Sequence, residues 1–372
     1  MKKLLGLLVS TVVLVSSLGA QGKFSGYMFG DYRYNIARDA NFSTLSNVAS
    51  ASGSTAMQAF EFRRIYFAYD NDISEQFTSR FRLEADQSAN ASNGKVGVFV
   101  KDAYLRWKNI FSGSDLIFGI QPTPAYEISE AAWGYRSLEK TIMDLRGVVP
   151  SRDQGISLKG KLLDDGSLNY WFMWSNNSAN SPETDKYKRY FGHVQYKVSA
   201  NLQLTLNADY ADKADIANAY TPGTTLSNGV LTYSAFLGYS EPFKYSFNVE
   251  AFMASTNHEV KDTLTKAYTS KNAVGVSVYG TYVVLPELSL VARYDIYDPS
   301  TDASSKDPAH VATAAAVKNT ARNYIIVGLA WKADRNVQII PNIQYETYTP
   351  ALNRASIDPS LTARATFYYT FL

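Results

Sequence analysis

The chain contains no cysteine, so no disulfide contributes to its stability, although a secreted protein of 372 residues could use them. Long apolar runs are missing as well. Beyond the first twenty residues no segment approaches the roughly eighteen consecutive apolar side chains of a membrane-crossing helix, which excludes a helical membrane protein. Histidine occurs only three times, with no Cys/His spacing that suggests zinc. No GxSxG motif is present, and no glycine-rich phosphate loop precedes a helix. Catalysis is left with His193 and some neighbouring serine, so neither an enzyme nor a cofactor is expected. Charge of one sign is also absent: without Lys2 and Lys3 the chain holds 34 bases and 34 acids, and nothing invites nucleic acid.

What is present begins with Lys2 and Lys3, an apolar run over residues 4–18, and then Gly19 and Ala20. This is the pattern of a secretory signal peptide over residues 1–20, cut after Ala20 or, because Leu18 is large, after Gly19. No cysteine follows to carry a lipid anchor. Residues 21–372 are too many for one ordinary compact soluble domain of roughly 250 residues. A closed barrel is a different case, because its size scales with strand number.

The period of the remaining sequence is two. Over residues 76–86, Phe77, Ser79, Phe81, Leu83 and Ala85 share one face, and Gln76, Thr78, Arg80, Arg82, Glu84 and Asp86 the other. Residues 201–211 alternate as cleanly, with Leu202, Leu204, Leu206, Ala208 and Tyr210 opposite Gln203, Thr205, Asn207 and Asp209. Sixteen such runs follow one another. In residues 59–70 the parity slips at Arg63-Arg64, where a bulge would turn both arginines to one side. The connections alternate between short turns, such as 199–200 and 285–286, and long polar stretches: 35–58, 87–95, 121–152, 176–186, 212–229, 255–271, 298–321 and 348–360. Aromatic residues make up 14%, and outward-parity tyrosines such as Tyr190, Tyr196 and Tyr210 suit the girdles at lipid boundaries. The pattern predicts an all-β fold: a transmembrane antiparallel β-barrel of about sixteen strands.

Residues 121–152 break the alternation. Pro122 and Pro124 open the stretch, Pro150 nearly closes it, and Glu127, Glu130, Glu139 and Asp144 balance Arg136, Lys140, Arg146 and Arg152. As the third outer connection it is expected to fold into the bore as a constriction, with a helical turn or two over residues 129–140 and Trp133 against Arg136 and Lys140. Inward parity in the first half of the chain belongs to Arg63, Arg64, Arg80, Arg82, Arg106, Lys159, Lys161, Arg189 and Lys197, against fewer acids: Glu84, Asp86 and Asp102. A cationic ring in a confined bore favours anions. The competing reading is an ordinary charged wall in which each base is paired, for example Arg80 with Glu84 or Asp102. The acids of the loop either face that wall or its bases join it.

Four blocks in order carry a resemblance: Phe62-Arg63-Arg64-Ile65-Tyr66, Lys101-Asp102-Ala103-Tyr104-Leu105, Phe118-Gly119-Ile120-Gln121-Pro122, and Arg152-Asp153-Gln154-Gly155-Ile156-Ser157-Leu158. Over residues 60–160 the chain resembles the phosphate-selective porin O and P family. The resemblance implies a sixteen-stranded trimeric channel of the bacterial outer membrane, with the third outer loop folded inside and Arg63 and Arg64 on the path of phosphate-type anions. The expected function is passive diffusion of small hydrophilic solutes with a preference for anions. Its partners are then those solutes, outer-membrane lipid and two further copies of the chain, with no nucleic acid. A channel specific for sugars or other organic solutes, and a plugged structural or surface-binding barrel, are the alternatives.

Overall fold

Among the described residues every strand pairs with its sequence neighbours, and the first pairs with the last. The computed structural model describes residues 22–39, 53–86, 93–352 and 356–371, so the expected signal peptide over residues 1–20 lies outside the described residues. The strands of the first half are β1 (Lys23–Ala37), β2 (Gln58–Asp72), β3 (Phe77–Asp86), β4 (Phe99–Phe111), β5 (Ser114–Pro122), β6 (Arg152–Lys161), β7 (Leu168–Ser175) and β8 (Arg189–Lys197). Those of the second half are β9 (Leu202–Ala217), β10 (Thr225–Glu241), β11 (Tyr245–Asp262), β12 (Ala267–Leu285), β13 (Leu288–Asp298), β14 (Arg322–Asp334), β15 (Val337–Tyr348) and β16 (Ser360–Thr370). All pairings are antiparallel, and β1 meets β16 in register from Tyr27↔Thr370 to Asn35↔Thr362. The sheet is a closed sixteen-stranded barrel. Closure leaves no edge strand with unpaired backbone groups, the condition a sheet must meet to sit in lipid.

The two parities of each strand meet two solvents. Phe172, Trp174, Tyr190, Leu206, Phe247 and Ile296 stand on the outer surface, each about half exposed. Asp102, Ser277, Asp295 and Thr366, on inward parities, are fully buried. Apolar outside and polar inside reverses the soluble arrangement and suits a wall between hydrocarbon and water.

Two outer connections differ from the sequence expectation. Residues 212–229 and 255–271 are mostly strand: β9 and β10 run on to Ala217 and back from Thr225, and β11 and β12 leave only residues 263–266 between them. The reason is physical. Above the apolar band the hydrogen-bonded ladder continues in water, where side chains need not alternate, so the period-two signal ends before the strand does.

Two bulges shape the inner wall. Phe29 faces Arg64 while Gly30 faces Phe62, which makes Arg63 the extra residue and turns Arg63 and Arg64 inward together. Likewise Arg82 faces Asp102 and Leu83 faces Val100, so Lys101 and Asp102 both point inward. Between β5 and β6 the chain forms α1 (Glu127–Trp133) and α2 (Ile142–Leu145). At the mouth, the β13–β14 connection holds a 3-10 turn (Ala303–Lys306) and α3 (Thr313–Lys318), with Val311 and Ala316 packed on Val260 and Ala351.

Candidate functional site

The segment between β5 and β6 crosses the bore and is seated on the far wall by apolar side chains. Trp133 and Leu138 pack with Phe236, Tyr279, Val291, Tyr324, Ile326 and Ile340. Ala125, Tyr126, Ile142, Met143 and Val149 pack with Met173, Phe191, Phe252 and Tyr297. Gly275 makes room for this seat, since a Cβ there would lie 3.0 Å from Ile142 Cδ1 and closer still to the Phe252 ring. Burying a tryptophan and several aliphatic residues against a wall fixes the loop by about 1.5–3 kcal/mol for each large side chain taken from water.

The helix within the segment lies earlier than the sequence predicts. It ends at Trp133 because Gly134 takes a left-handed conformation, φ 65°, and its N–H closes onto the Glu130 carbonyl. The cation over Trp133 is Arg293 of the wall, where the sequence predicts Arg136 and Lys140. Its indole N–H donates to the Glu139 carbonyl at 2.8 Å, its ring meets Tyr279 edge-on at 5.3 Å, and Arg293 lies over it at 5.5 Å. Polar bonds finish the seat: the Tyr279 hydroxyl donates to the Ser129 carbonyl at 3.0 Å, and Ser129 Oγ donates to Glu250 at 3.0 Å. Arg293 also donates to the Lys140 carbonyl.

The near wall carries charge. Arg63 lies 3.3 Å from Asp31 and donates to the carbonyls of Ser137 at 2.7 Å and Leu138 at 3.0 Å, so it ties the loop to the wall opposite its apolar seat. Arg64 donates to Glu84 at 2.6 Å and to the Tyr66 hydroxyl at 3.0 Å. Arg82 lies over the Tyr66 ring at 4.1 Å and 3.7 Å from Asp102. Arg80 pairs with Asp70 at 3.0 Å, not with Glu84 or Asp102, because Asp70 is its direct cross-strand neighbour. Arg189 donates to Asp209 at 2.7 Å.

The charges of the loop divide between both alternatives. Glu127 lies 3.5 Å from Lys159 of the wall, whereas Glu130 and Asp144 hold Arg136 at 2.9 and 3.1 Å, and Lys140 lies 3.6 Å from Asp144. Arg146 reaches Glu346 at 2.8 Å, and Arg152 pairs with Asp102. These bases serve mostly as fixed struts.

On the short-turn side of the loop, β4 to β8 enclose a cavity of about 230 Å³ that brings together Arg106, Lys159, Lys161 and Lys197 around Asp115 and Trp171. Arg106 donates to Asp115 at 2.7 Å, and Lys159 also lies over the Trp171 ring at 3.9 Å. Arg63, Arg64, Arg80, Arg82 and Arg189 do not line this cavity. His193 borders it, with Nδ1 2.6 Å from the Asn207 side-chain oxygen.

Sequence reasoning missed Lys101, 2.9 Å from Glu84, and the second-half charges Arg293, Arg322, Arg364 and Glu250. Adjacent inward charges at Lys101-Asp102 repeat the parity slip seen at Arg63-Arg64, so that one signal was available.

No protein-family model matches the sequence, and no curated protein matches it. Solved structures do. The barrel is similar to the outer-membrane channel DcaP of Acinetobacter baumannii, with a TM-score of 0.66, 11% identity, and 95% of this chain and 98% of that one covered. It is similar to an anion-selective porin from Comamonas acidovorans, with a TM-score of 0.63, 11% identity, and 95% and 100% covered. It is also similar to a trimer form of the outer-membrane protein OmpT of Vibrio cholerae, with a TM-score of 0.56, 12% identity, and 95% and 100% covered. At these identities the likeness establishes the porin-type barrel. It does not single out the phosphate-selective porin O and P family.

Proposed function

We propose that the chain is a passive outer-membrane channel for small hydrophilic solutes that prefers anions and works as a homotrimer. One observation carries the preference: the cavity beside the loop gathers Arg106, Lys159, Lys161 and Lys197 around a single lining carboxylate, Asp115. Confined positive charge with low-dielectric walls raises the local anion concentration and lowers the barrier to anion entry. The loop gives that charge a narrow place to act. Support for the channel itself comes from the barrel and from similar structures described as an anion-selective porin and an outer-membrane channel. The trimer form of a similar barrel supports the oligomer.

Phosphate-type anions enter this reading through the sequence block that carries Arg63 and Arg64. Both guanidiniums bind carboxylates, and Arg63 also binds loop carbonyls, so part of their role is to hold the constriction. Selectivity is therefore assigned to the more exposed lysines.

Reversal potentials in planar bilayers across a potassium chloride gradient test the proposal. The wild type is expected to prefer chloride, and Lys159→Glu with Lys161→Glu to shift the potential toward potassium. A cation-selective wild type overturns the preference. A reconstituted barrel with no conductance overturns the channel and favours a plugged scaffold.

A further inference from the structure

Beneath the first turn of α1 the far wall holds a carboxyl group that no cation balances among the described residues. Glu250 stands on β11 at inward parity, 2% exposed, between Phe236 of β10 and Ser277 of β12. It forms no ion pair among the described residues, and its Oε2 has no hydrogen-bond partner among them. The charged groups around it are engaged elsewhere. On β13 Arg293 and Asp295 bind each other through two bonds, and on α1 Glu130 pairs with Arg136 at 2.9 Å. Tyr279 of β12 donates to the Ser129 carbonyl, and Tyr126 of the loop to the Val149 carbonyl. β9 and β10 face it with uncharged side chains, Thr205, Ser234 and Phe236. One contact remains, and it turns on a proton count. Ser129 Oγ lies 3.0 Å from Glu250 Oε1 and 3.2 Å from the Tyr126 carbonyl. A hydroxyl has one proton to give, and a carbonyl only accepts. Ser129 donating to an ionised Glu250 leaves the Tyr126 contact without a proton. A protonated Glu250 donates to Ser129 Oγ, and both contacts are then hydrogen bonds.

We infer that Glu250 is a proton-controlled latch on the start of the bore loop: its neutral carboxyl keeps Ser129 and the first turn of α1 on the wall, and its ionisation releases that turn. The inference rests on the channel reading above and adds a means of regulation to it. An ionised carboxylate buried without a cation costs far more than a neutral, hydrogen-bonded carboxyl. Lifting the turn lets water reach the charge. Seating thus favours the neutral form and release the charged one, so rising pH shifts the balance toward release. The release is local. Trp133 and Leu138 belong to one apolar cluster and Ile142 and Met143 to another, and the left-handed turn at Gly134 separates them from the first turn of α1. That first turn matters to a solute. Its Ile128 borders the cavity that holds Lys159, and its Glu127 lies 3.5 Å from Lys159, so its movement alters both the width of the passage and the pairing of that lysine.

Amide hydrogen exchange of the reconstituted barrel, corrected for intrinsic pH dependence, tests the latch from about pH 5 to about pH 9. The Glu130 amide donates to the Tyr126 carbonyl at 2.9 Å in the seated turn. It is expected to lose about tenfold in protection across that range, with the Leu138 amide unchanged as the reference. Single-channel chloride current is expected to grow and become noisier over the same range. Glu250→Gln keeps the shape and a donor without the charge, and Glu250→Leu replaces the carboxyl with an apolar group. Each is expected to hold the Glu130 amide protected and the current steady at every pH, and either one decides the test where the other assembles poorly. A flat wild-type exchange profile, or a pH response retained in either variant, overturns the inference while leaving the channel standing. A pH-dependent Glu130 amide in a barrel without conductance keeps the latch and overturns the channel reading.

Discussion

The two sides of the bore hold the same loop by different balances of apolar and charged contact. From β7 to β15 the inner wall presents Met173, Phe191, Phe236, Phe252, Tyr279, Tyr324, Ile326 and Ile340, and the loop lays its apolar residues on them as a helix lies on a soluble core. From β1 to β6 the wall presents Asp31, Arg63, Arg64, Arg82, Glu84, Lys101, Asp102 and Lys159, paired largely with one another, and the loop meets it through the Arg63 bonds to the Ser137 and Leu138 carbonyls and the Lys159–Glu127 pair. Apolar contact is insensitive to salt and fixes position. Charged contact is placed by cross-strand register, which sets Arg64 opposite Asp86 and Arg82 opposite Asp102. The loop is thus seated mainly by apolar packing on one side and tied by Arg63 on the other, and each attachment can be perturbed separately.

The largest effect is expected on the anchoring side. Trp133→Ala removes a fully buried indole and leaves a cavity, a change that costs about 3–5 kcal/mol in well-packed interiors. Amide hydrogen exchange at Gly134, Leu138 and Arg146 should accelerate by about a hundredfold or more, and single-channel current should become noisier. A smaller effect is expected on the charged side. Arg63→Gln loses the Asp31 contact and at least one of two carbonyl bonds, about 1.5–3 kcal/mol for hydrogen bonds to a charged group. If Arg63→Gln frees the loop more than Trp133→Ala does, the division of labour proposed for the two walls is wrong.

Most of the barrel was legible because alternation is a direct image of a wall between lipid and water. The bulge at Arg63 was legible for the same reason, since it breaks parity at an identifiable place. The apolar seat was not. Tyr324-Ile325-Ile326-Val327 reads as an apolar run without alternation, and only the loop's position explains why the inward members, Tyr324 and Ile326, are also apolar. Charge pairing was hidden too, because it depends on register: Arg80 finds Asp70 across the strand pair, a relation that parity alone does not give. A charged cavity on the long-connection side of the loop fell in residues read as loop, where Lys213, Glu259 and Lys271 stand on strands that outlast their own periodicity.

The mildest perturbation acts above the far wall, where a connection is held by neither mode alone. His310 Nδ1 lies 2.8 Å from Asp262, the Thr263 N–H donates to the His310 carbonyl at 2.7 Å, and Val311 joins a small apolar cluster. The hydrogen bond to Asp262 raises the His310 pKa above its usual value, and Asp307 and Asp302 add to the effect. A raised imidazole pKa means that the folded connection binds its proton more tightly than the unfolded one. Its contribution is therefore complete below the unfolded value of about 6.5 and is lost as pH rises through the higher folded value. Hydrogen exchange at Thr263 and Val311, corrected for intrinsic pH dependence, should quicken between about pH 6 and pH 8, with the bore amides at Leu138 and Arg146 unchanged. His310→Gln should flatten that dependence. If the bore amides follow the same pH profile as Thr263, the mouth and the seated loop open as one unit, and the apolar far wall does not isolate the constriction from the connections above it.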